Sequence, residues 1–172
     1  MTMKPLLLLA VAAALALPTS AVGAAGHTVD LATGKLDGQR ILGRTVAGVT
    51  AALGRPDFRT GLRSRYVLGW GDRHDFSVEV IFRPVGGVER AWSIAFERDV
   101  RDVKLGSLLG RGSASLQAAV SRGYADTFEL ERPYRCTRTT YCVGEFAPRK
   151  GTLHLTFGTR STLGTWLTVW RR

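Results

Sequence analysis

The stretch GRTVAGVTAALGRPDFRTG, residues 43–61, decides how the chain changes from helix to sheet. A threonine at a capping position precedes apolar residues at helical spacing, and a glycine followed by a proline supplies the two residue types that end helices. These residues are Thr45, Val46, Val49, Leu53, Gly54 and Pro56. The pattern predicts a short helix over residues 46–53 that delivers the chain into β structure.

The sequence after this helix is typical of antiparallel strands, with alternating apolar residues and a glycine-containing hairpin connector, RPVGG. The three predicted strands are SRYVLGW (64–70), FSVEVIF (76–82) and VERAWSIAF (88–96). In the last of them, simple alternation places Trp92, Ile94 and Phe96 on one face. The first half is therefore predicted to be a helix followed by a three-stranded meander.

The second half repeats this order of elements. GRGSASLQAAVSRGYAD (110–126) predicts a second helix with one apolar stripe. Four strand-like stretches follow: TFELER (127–132), TTYCVGEF (139–146), TLHLTFG (152–158) and LGTWLTVW (163–170). We predict an α+β fold of two helix-plus-antiparallel-sheet halves, residues 41–100 and 101–172, and the shared order suggests an internal duplication.

The N-terminal sequence MTMKPLLLLAVAAALALPTSAVGAAG has the three regions of a secretory signal peptide. Lys4 precedes an uncharged run over residues 6–17, which is shorter than the roughly 20 apolar residues of a spanning helix. No cysteine near the cleavage region could carry a lipid. We expect residues 1–24 to be removed and residues 25–40 to form a flexible arm. The mature chain is expected to be secreted or periplasmic, without a membrane span or lipid anchor.

The chain is basic, with 24 Lys and Arg residues against 14 Asp and Glu residues and a formal net charge of +10. Such a charge favours acidic partners, which include nucleic acid, anionic lipid, a cell-wall polymer and an acidic protein face. The arginines are scattered rather than packed into a run, so an ordinary exported protein from an arginine-rich proteome is the competing interpretation. Nucleic-acid binding has no motif to support it.

The two cysteines, Cys136 and Cys142, lie six positions apart in YRCTRTTYCVG. A close, even pair in an exported protein predicts a disulfide across a hairpin or a tight loop. Redox pairs are usually spaced Cys-x-x-Cys, and a zinc site would need more ligands than the sequence offers nearby. We therefore predict a structural disulfide.

Residues 41–96 resemble the SmpA/OmlA (BamE-like) module, with a glycine-led turn, a helix ending in Leu-Gly-x-Pro, and a meander with a glycine hairpin. The residues that carry the resemblance are Gly43, Thr45, Val49, Leu53, Gly54, Pro56, Asp57, Tyr66, Phe82, Gly86 and Gly87. The tandem arrangement, with a cysteine pair in one half, is similar to the β-lactamase-inhibitor proteins. The resemblance implies an exported protein-binding module without an identified target.

Candidate catalytic residues are few. His74 lies between Asp72 and Asp75 in GWGDRHDFS, where the three could offer ligands to a metal, but the stretch is more typical of a polar turn. Alternation places His154 at a half-exposed sheet position. No Gly-x-Ser-x-Gly elbow or phosphate loop is present. We predict no catalytic residue, metal site or cofactor, with a small secreted hydrolase or nuclease using His and Arg on the sheet as the alternative.

Aromatic and basic residues on the strands form the candidate binding surface, because Trp and Arg dominate binding hot spots. Core packing is the competing role for the tryptophans. The candidates are Arg63, Arg65, Trp70, His74, Trp166 and Trp170. The sequence thus predicts an exported, non-enzymatic module that binds a protein or an anionic envelope polymer, and it specifies neither the partner nor the oligomeric state.

Overall fold

The computed structural model describes residues 26–62, 65–72, 75–97, 100–109, 112–138, 141–160 and 164–172. These residues contain thirteen strands and two short helices. The predicted α+β class is therefore wrong, and the protein is mainly β. The helices span only 8 and 11 residues, so they cover parts of a sheet and do not form a layer of comparable size.

The bounds of the strands and helices are as follows in chain order. The strands are β1 (Thr28–Asp30), β2 (Lys35–Leu36), β3 (Gln39–Arg40), β4 (Phe58–Leu62), β5 (Arg65–Asp72), β6 (Asp75–Val85), β7 (Val88–Phe96), β8 (Arg101–Asp102), β9 (Gly106–Ser107), β10 (Phe128–Arg138), β11 (Tyr141–Pro148), β12 (Leu153–Arg160) and β13 (Gly164–Arg171). The helices are α1 (Val46–Leu53), before β4, and α2 (Ser113–Gly123), before β10.

One antiparallel sheet runs through eight strands in the order β10-β11-β12-β13-β7-β6-β5-β4. The last strand in sequence, β13, pairs with β12 on one side and β7 on the other, so it lies in the interior of this large sheet. The prediction of three strands after α1 missed β4. Its sequence, FRTGL, has too few apolar residues to show alternation, and its pairing with β5 supplies the strand geometry.

Helix α1 spans the predicted residues because its signals are local. The side chain of Thr45 accepts a hydrogen bond from the Gly48 N–H at 3.2 Å. At the other end, Gly54 has a φ of +83°, a conformation that favours glycine. Its N–H donates to the Thr50 carbonyl at 2.9 Å. Both ends of the helix are thus capped as the sequence indicates.

The hydrophobic core lies on one face of the large sheet, which we call the inner face. Strands from both ends of the sheet contribute to it, and so do both helices. Its buried members include Val49 of α1, Leu116 and Val120 of α2, Val80 of β6, Ile94 of β7, Leu155 and Phe157 of β12, and Leu167 and Val169 of β13. Because side chains alternate along a strand, the opposite, outer face carries the intervening residues.

A second, small sheet has the order β3-β2-β1-β8-β9, with β1 and β8 parallel. It includes much of the segment 25–40 that was predicted as a flexible arm. Val29, Leu31 and Leu36 are fully buried there, and their burial accounts for the strand structure of a segment that reads as polar and glycine-bearing. Residues 1–25, which contain the predicted signal peptide, lie outside the described residues. Neither described helix has the length and apolarity to cross a bilayer.

Asp102 of β8 connects the small sheet to the segment after α2. The hydroxyl of Tyr124 donates to both carboxylate oxygens, at 2.9 and 2.8 Å. The backbone N–H groups of Leu31, Lys104 and Leu105 donate to the same carboxylate at 3.2, 2.9 and 2.7 Å. Burial, together with the hydrogen bond to Asp102, raises the pKa of Tyr124 above its usual range.

The predicted disulfide is confirmed. It joins Cys136 of β10 to Cys142 of β11, and the two residues are direct partners in the antiparallel ladder. Since β10 lies at one edge of the large sheet, the bond ties an edge strand to its neighbour.

Candidate binding face

A β-bulge in β7 shapes the outer face of the large sheet. One extra residue, Trp92, lies between the residues that pair with Ile81 and Phe82. Such an insertion changes the phase of side-chain alternation. Trp92 is therefore half-buried on the outer face, whereas Ile94 and Phe96 are fully buried on the inner face. The prediction that all three share one face is wrong for this reason.

Four side chains from four neighbouring strands form a continuous row on the outer face. We call Arg83, Trp92, Trp170 and His154 the aromatic row. The guanidinium carbon of Arg83 lies 3.3 Å from the centroid of the Trp92 ring. The Trp92 and Trp170 centroids are 5.4 Å apart, and the His154 and Trp170 rings stack with centroids 4.3 Å apart and planes inclined by 18°. Each contact of this kind contributes on the order of 0.5–1.5 kcal/mol.

Neighbouring residues hold the two tryptophans of β13 in place. The Nε1–H of Trp170 donates to the Thr156 hydroxyl at 2.8 Å, which fixes the plane of the indole against His154. The ring of Trp166 lies over its cross-strand partner Gly158, at the position that a Cβ there would occupy. The glycine thus provides the space in which Trp166 lies flat on the sheet.

The aromatic row ends at a group of charged residues. His154 is only 5% exposed, so the predicted half-exposed position is wrong, since the Trp170 indole covers its ring. The Nδ1 atom of His154 lies 3.9 Å from Oε1 of Glu145, and Oε2 of Glu145 lies 3.9 Å from Nη1 of Arg132. His154 Nδ1 is buried, and no atom in the described part of the chain is its hydrogen-bond partner.

Two of the predicted surface residues, Trp166 and Trp170, are half-buried on the outer face. Trp70 is not on this face, because it is 8% exposed, belongs to the hydrophobic core and pairs with Val78. Its place follows from alternation, since Leu68 is also buried in the core and only the intervening position points outward.

The other three predicted surface residues are not tested at the level of their side chains. Arg63 and His74 lie outside the described residues, and for Arg65 only the backbone, in β5, is described. The sequence-based prediction had omitted Arg83, Trp92 and Glu145. The only sequence signal for Trp92 was that it is a tryptophan in a predicted strand. Arg83 and Glu145 reach the face through strand pairing, and no local motif marks them.

Comparison of the chain with models of known families, with curated proteins and with solved structures found no match. The resemblance to the SmpA/OmlA module therefore stays a prediction. The geometry of the outer face is the observation from which a function can be argued.

Proposed function

We propose that the protein is an exported, non-enzymatic binding module that docks a protein partner on the outer face of its large sheet. The observation that supports this function is the aromatic row, in which Arg83, Trp92 and Trp170 contact one another across three strands. Both described helices contribute to the core on the inner face, so they do not cover the row. The N-terminal signal pattern supports export.

The composition of the row suits a protein surface. Tryptophan and arginine are the residue types that dominate protein-binding hot spots. Here each member is held by its neighbour, so little side-chain freedom is lost when a partner docks. Half-buried residues without charge, Ala95 and Thr168, lie beside the row as direct cross-strand partners. Ala95 also pairs with the half-buried Glu79 of β6. A carboxylate at the centre of the face suits a protein partner better than a phosphate-rich or carboxylate-rich polymer.

The test is site-specific photo-crosslinking of the full chain in its native compartment. A photoreactive phenylalanine analogue is placed at Ala95, on the outer face, and in a separate variant at Val103, which is 63% exposed and follows β8. We expect one protein adduct of defined mass from position 95, lost when Trp92→Ala is added, and no such adduct from position 103. Equal adducts from both positions, or none from position 95, would overturn the proposal.

Once the adduct identifies the partner, purified proteins test the contact directly. Trp92→Ala and Arg83→Ala should each weaken binding about 30-fold, which corresponds to hot-spot losses of about 2 kcal/mol. Arg122→Ala, which removes an exposed arginine from α2, is the matched control and should leave the affinity unchanged. An anionic polymer as the true ligand would instead give binding that falls steeply with salt and responds equally to both arginine variants.

A hydrolase or nuclease is the second candidate, favoured by the position of His154 beside Glu145. This activity would require turnover of an ester or phosphodiester by the full chain. It would also require that His154→Ala and Glu145→Gln each reduce turnover at least 100-fold. Turnover that survives both variants would exclude these residues as the source.

A further inference from the structure

We propose that Glu131, Glu145 and His154 bind one divalent transition-metal ion of the zinc class beside the aromatic row. Each residue offers one ligand atom, and the three atoms lie within 4.8 Å of one another. They come from three successive strands, β10, β11 and β12. The site does not depend on the docking of a partner, and it adds a ligand of a different chemical class.

A second β-bulge brings Glu131 to the cluster. Leu130 pairs with Phe146 and Arg132 pairs with Glu145, so Glu131 is the extra residue between them. Bulges re-aim side chains in this way. The carboxylate of Glu131 therefore joins that of Glu145 on the same side of the strand pair, although regular alternation would separate Glu131 from Arg132.

The state of His154 is the independent observation that points to a ligand. The residue is 5% exposed, and its buried Nδ1 has no hydrogen-bond partner among the described residues. A buried polar atom without a partner is costly. Glu145 Oε1 lies 3.9 Å away, which is too far for a hydrogen bond but close to the spacing of two ligands on one ion. Zinc–ligand bonds of about 2.1 Å place neighbouring ligand atoms about 3.4 Å apart.

The aromatic row keeps the imidazole oriented for this role. Stacking on Trp170 fixes the plane of the ring, and the Trp170 indole is itself held by Thr156. Metal-binding histidines are usually oriented by a hydrogen bond from the other ring nitrogen, and here the stack on Trp170 restricts the ring. Glu131, by contrast, is exposed and can adjust its rotamer to close the ligand set.

The donor set selects the class of metal. Zinc accepts both imidazole nitrogen and carboxylate oxygen, and three protein ligands leave its fourth position open. Calcium and magnesium prefer oxygen ligands alone. Arg132 Nη1 lies 3.9 Å from Glu145, and its side chain is 77% exposed. It can therefore move into solvent as the cation takes its place beside the carboxylate.

The test is calorimetric titration of the chelator-treated, folded full chain with zinc chloride. We expect binding of one zinc per chain, with magnesium chloride giving none. Glu131→Gln and His154→Ala should each weaken zinc binding at least tenfold. Because His154 is buried and its replacement can disturb folding, the exposed Glu131→Gln variant is the decisive one, with circular dichroism confirming that it folds.

Two control variants test whether binding is specific to the cluster. Glu129→Gln removes an exposed carboxylate from the same strand, one that faces Arg149 at 3.5 Å. His27→Ala removes a histidine whose Nδ1 is 2.7 Å from Asp37. Both should bind zinc as the unmodified chain does. Absence of zinc binding, unchanged binding in Glu131→Gln, or equal loss in the controls would overturn the proposal.

Discussion

His154 and Trp170 are direct cross-strand partners whose rings stack 4.3 Å apart. Trp170 also contacts Trp92, and its indole N–H reaches Thr156. One side chain therefore joins the aromatic row to the histidine of the proposed metal site. A substitution of Trp170 should therefore affect both the aromatic row and the proposed metal site. The contribution of its hydrogen bond to stability is the first property to measure.

Trp170→Phe keeps an aromatic ring but removes the N–H that donates to Thr156. We expect the free energy of unfolding to fall by about 1 kcal/mol from loss of this bond, in addition to the loss of ring area. Trp166→Phe is the matched control, because the Trp166 N–H has no hydrogen-bond partner in the described structure. Urea unfolding measures the free energy of unfolding of both variants. Equal losses in the two would contradict the prediction.

Gly69→Ala tests the close contact between β4 and β5. The Phe58 ring occupies the place where a Cβ on Gly69 would lie, so the methyl group should displace the ring and destabilise the fold by roughly 1–3 kcal/mol. Gly61→Ala in β4 is the control, since none of the residues that the structure describes lies within 4 Å of its Cβ position. Its effect should be within about 0.5 kcal/mol. Similar melting temperatures for the two variants would refute the contact.

Because of Tyr124, the free energy of unfolding should fall at alkaline pH. Its pKa is raised in the folded state, so its contribution to stability is complete below the unfolded value of about 10 and is lost as the pH rises above it. In that range the unfolded chain releases the proton first, and the free energy of unfolding falls by about 1.4 kcal/mol per pH unit.

Tyr124→Phe removes this dependence together with the hydrogen bond to Asp102. At pH 8 the variant should be less stable than the unmodified chain by about 2 kcal/mol, because the bond is to a charged group. The gap should narrow steadily above pH 10. Denaturant unfolding at a series of pH values measures the difference, and a gap that stays constant from pH 8 to pH 11.5 would contradict the assignment.

Replacing Cys136 and Cys142 by serine should lower the free energy of unfolding by about 2 kcal/mol in the chain-entropy estimate for so short a loop. A reductant should destabilise the unmodified chain by a similar amount and have no effect on the double variant. If the reductant lowered the midpoint of both proteins equally, the effect would not come from this bond.

Features set by neighbouring residues could be predicted from the sequence. The cap at Thr45 and the glycine at Gly54 defined α1, and the β7 strand has the predicted bounds of residues 88–96. The small sheet escaped prediction because strands of two or three residues are too short to show a period. The α+β prediction was wrong because several strands form only through pairing with residues distant in sequence. This pairing adds strands that the local pattern does not show, whereas the two helices stay short.

The outer face could be predicted only in part. Trp166 and Trp170 are separated by an even number of positions on one strand, so alternation places them on the same face. The faces of Trp92 and Glu131 depend on bulges, which arise from the register between paired strands and leave no mark in either strand alone. A cluster built from three strands therefore shows no ligand spacing in the sequence.

The interior position of β13 governs the order in which the molecule can assemble. Until β13 inserts, β7 and β12 each present an open edge, and no ladder joins β4–β7 to β10–β12. Its pairing of Trp170 with Ser93 closes a long loop, which is a slow kind of step in folding. A chain in which β13 has not yet paired would therefore expose two unpaired strand edges, and a chaperone that shields them would raise the yield of folded protein.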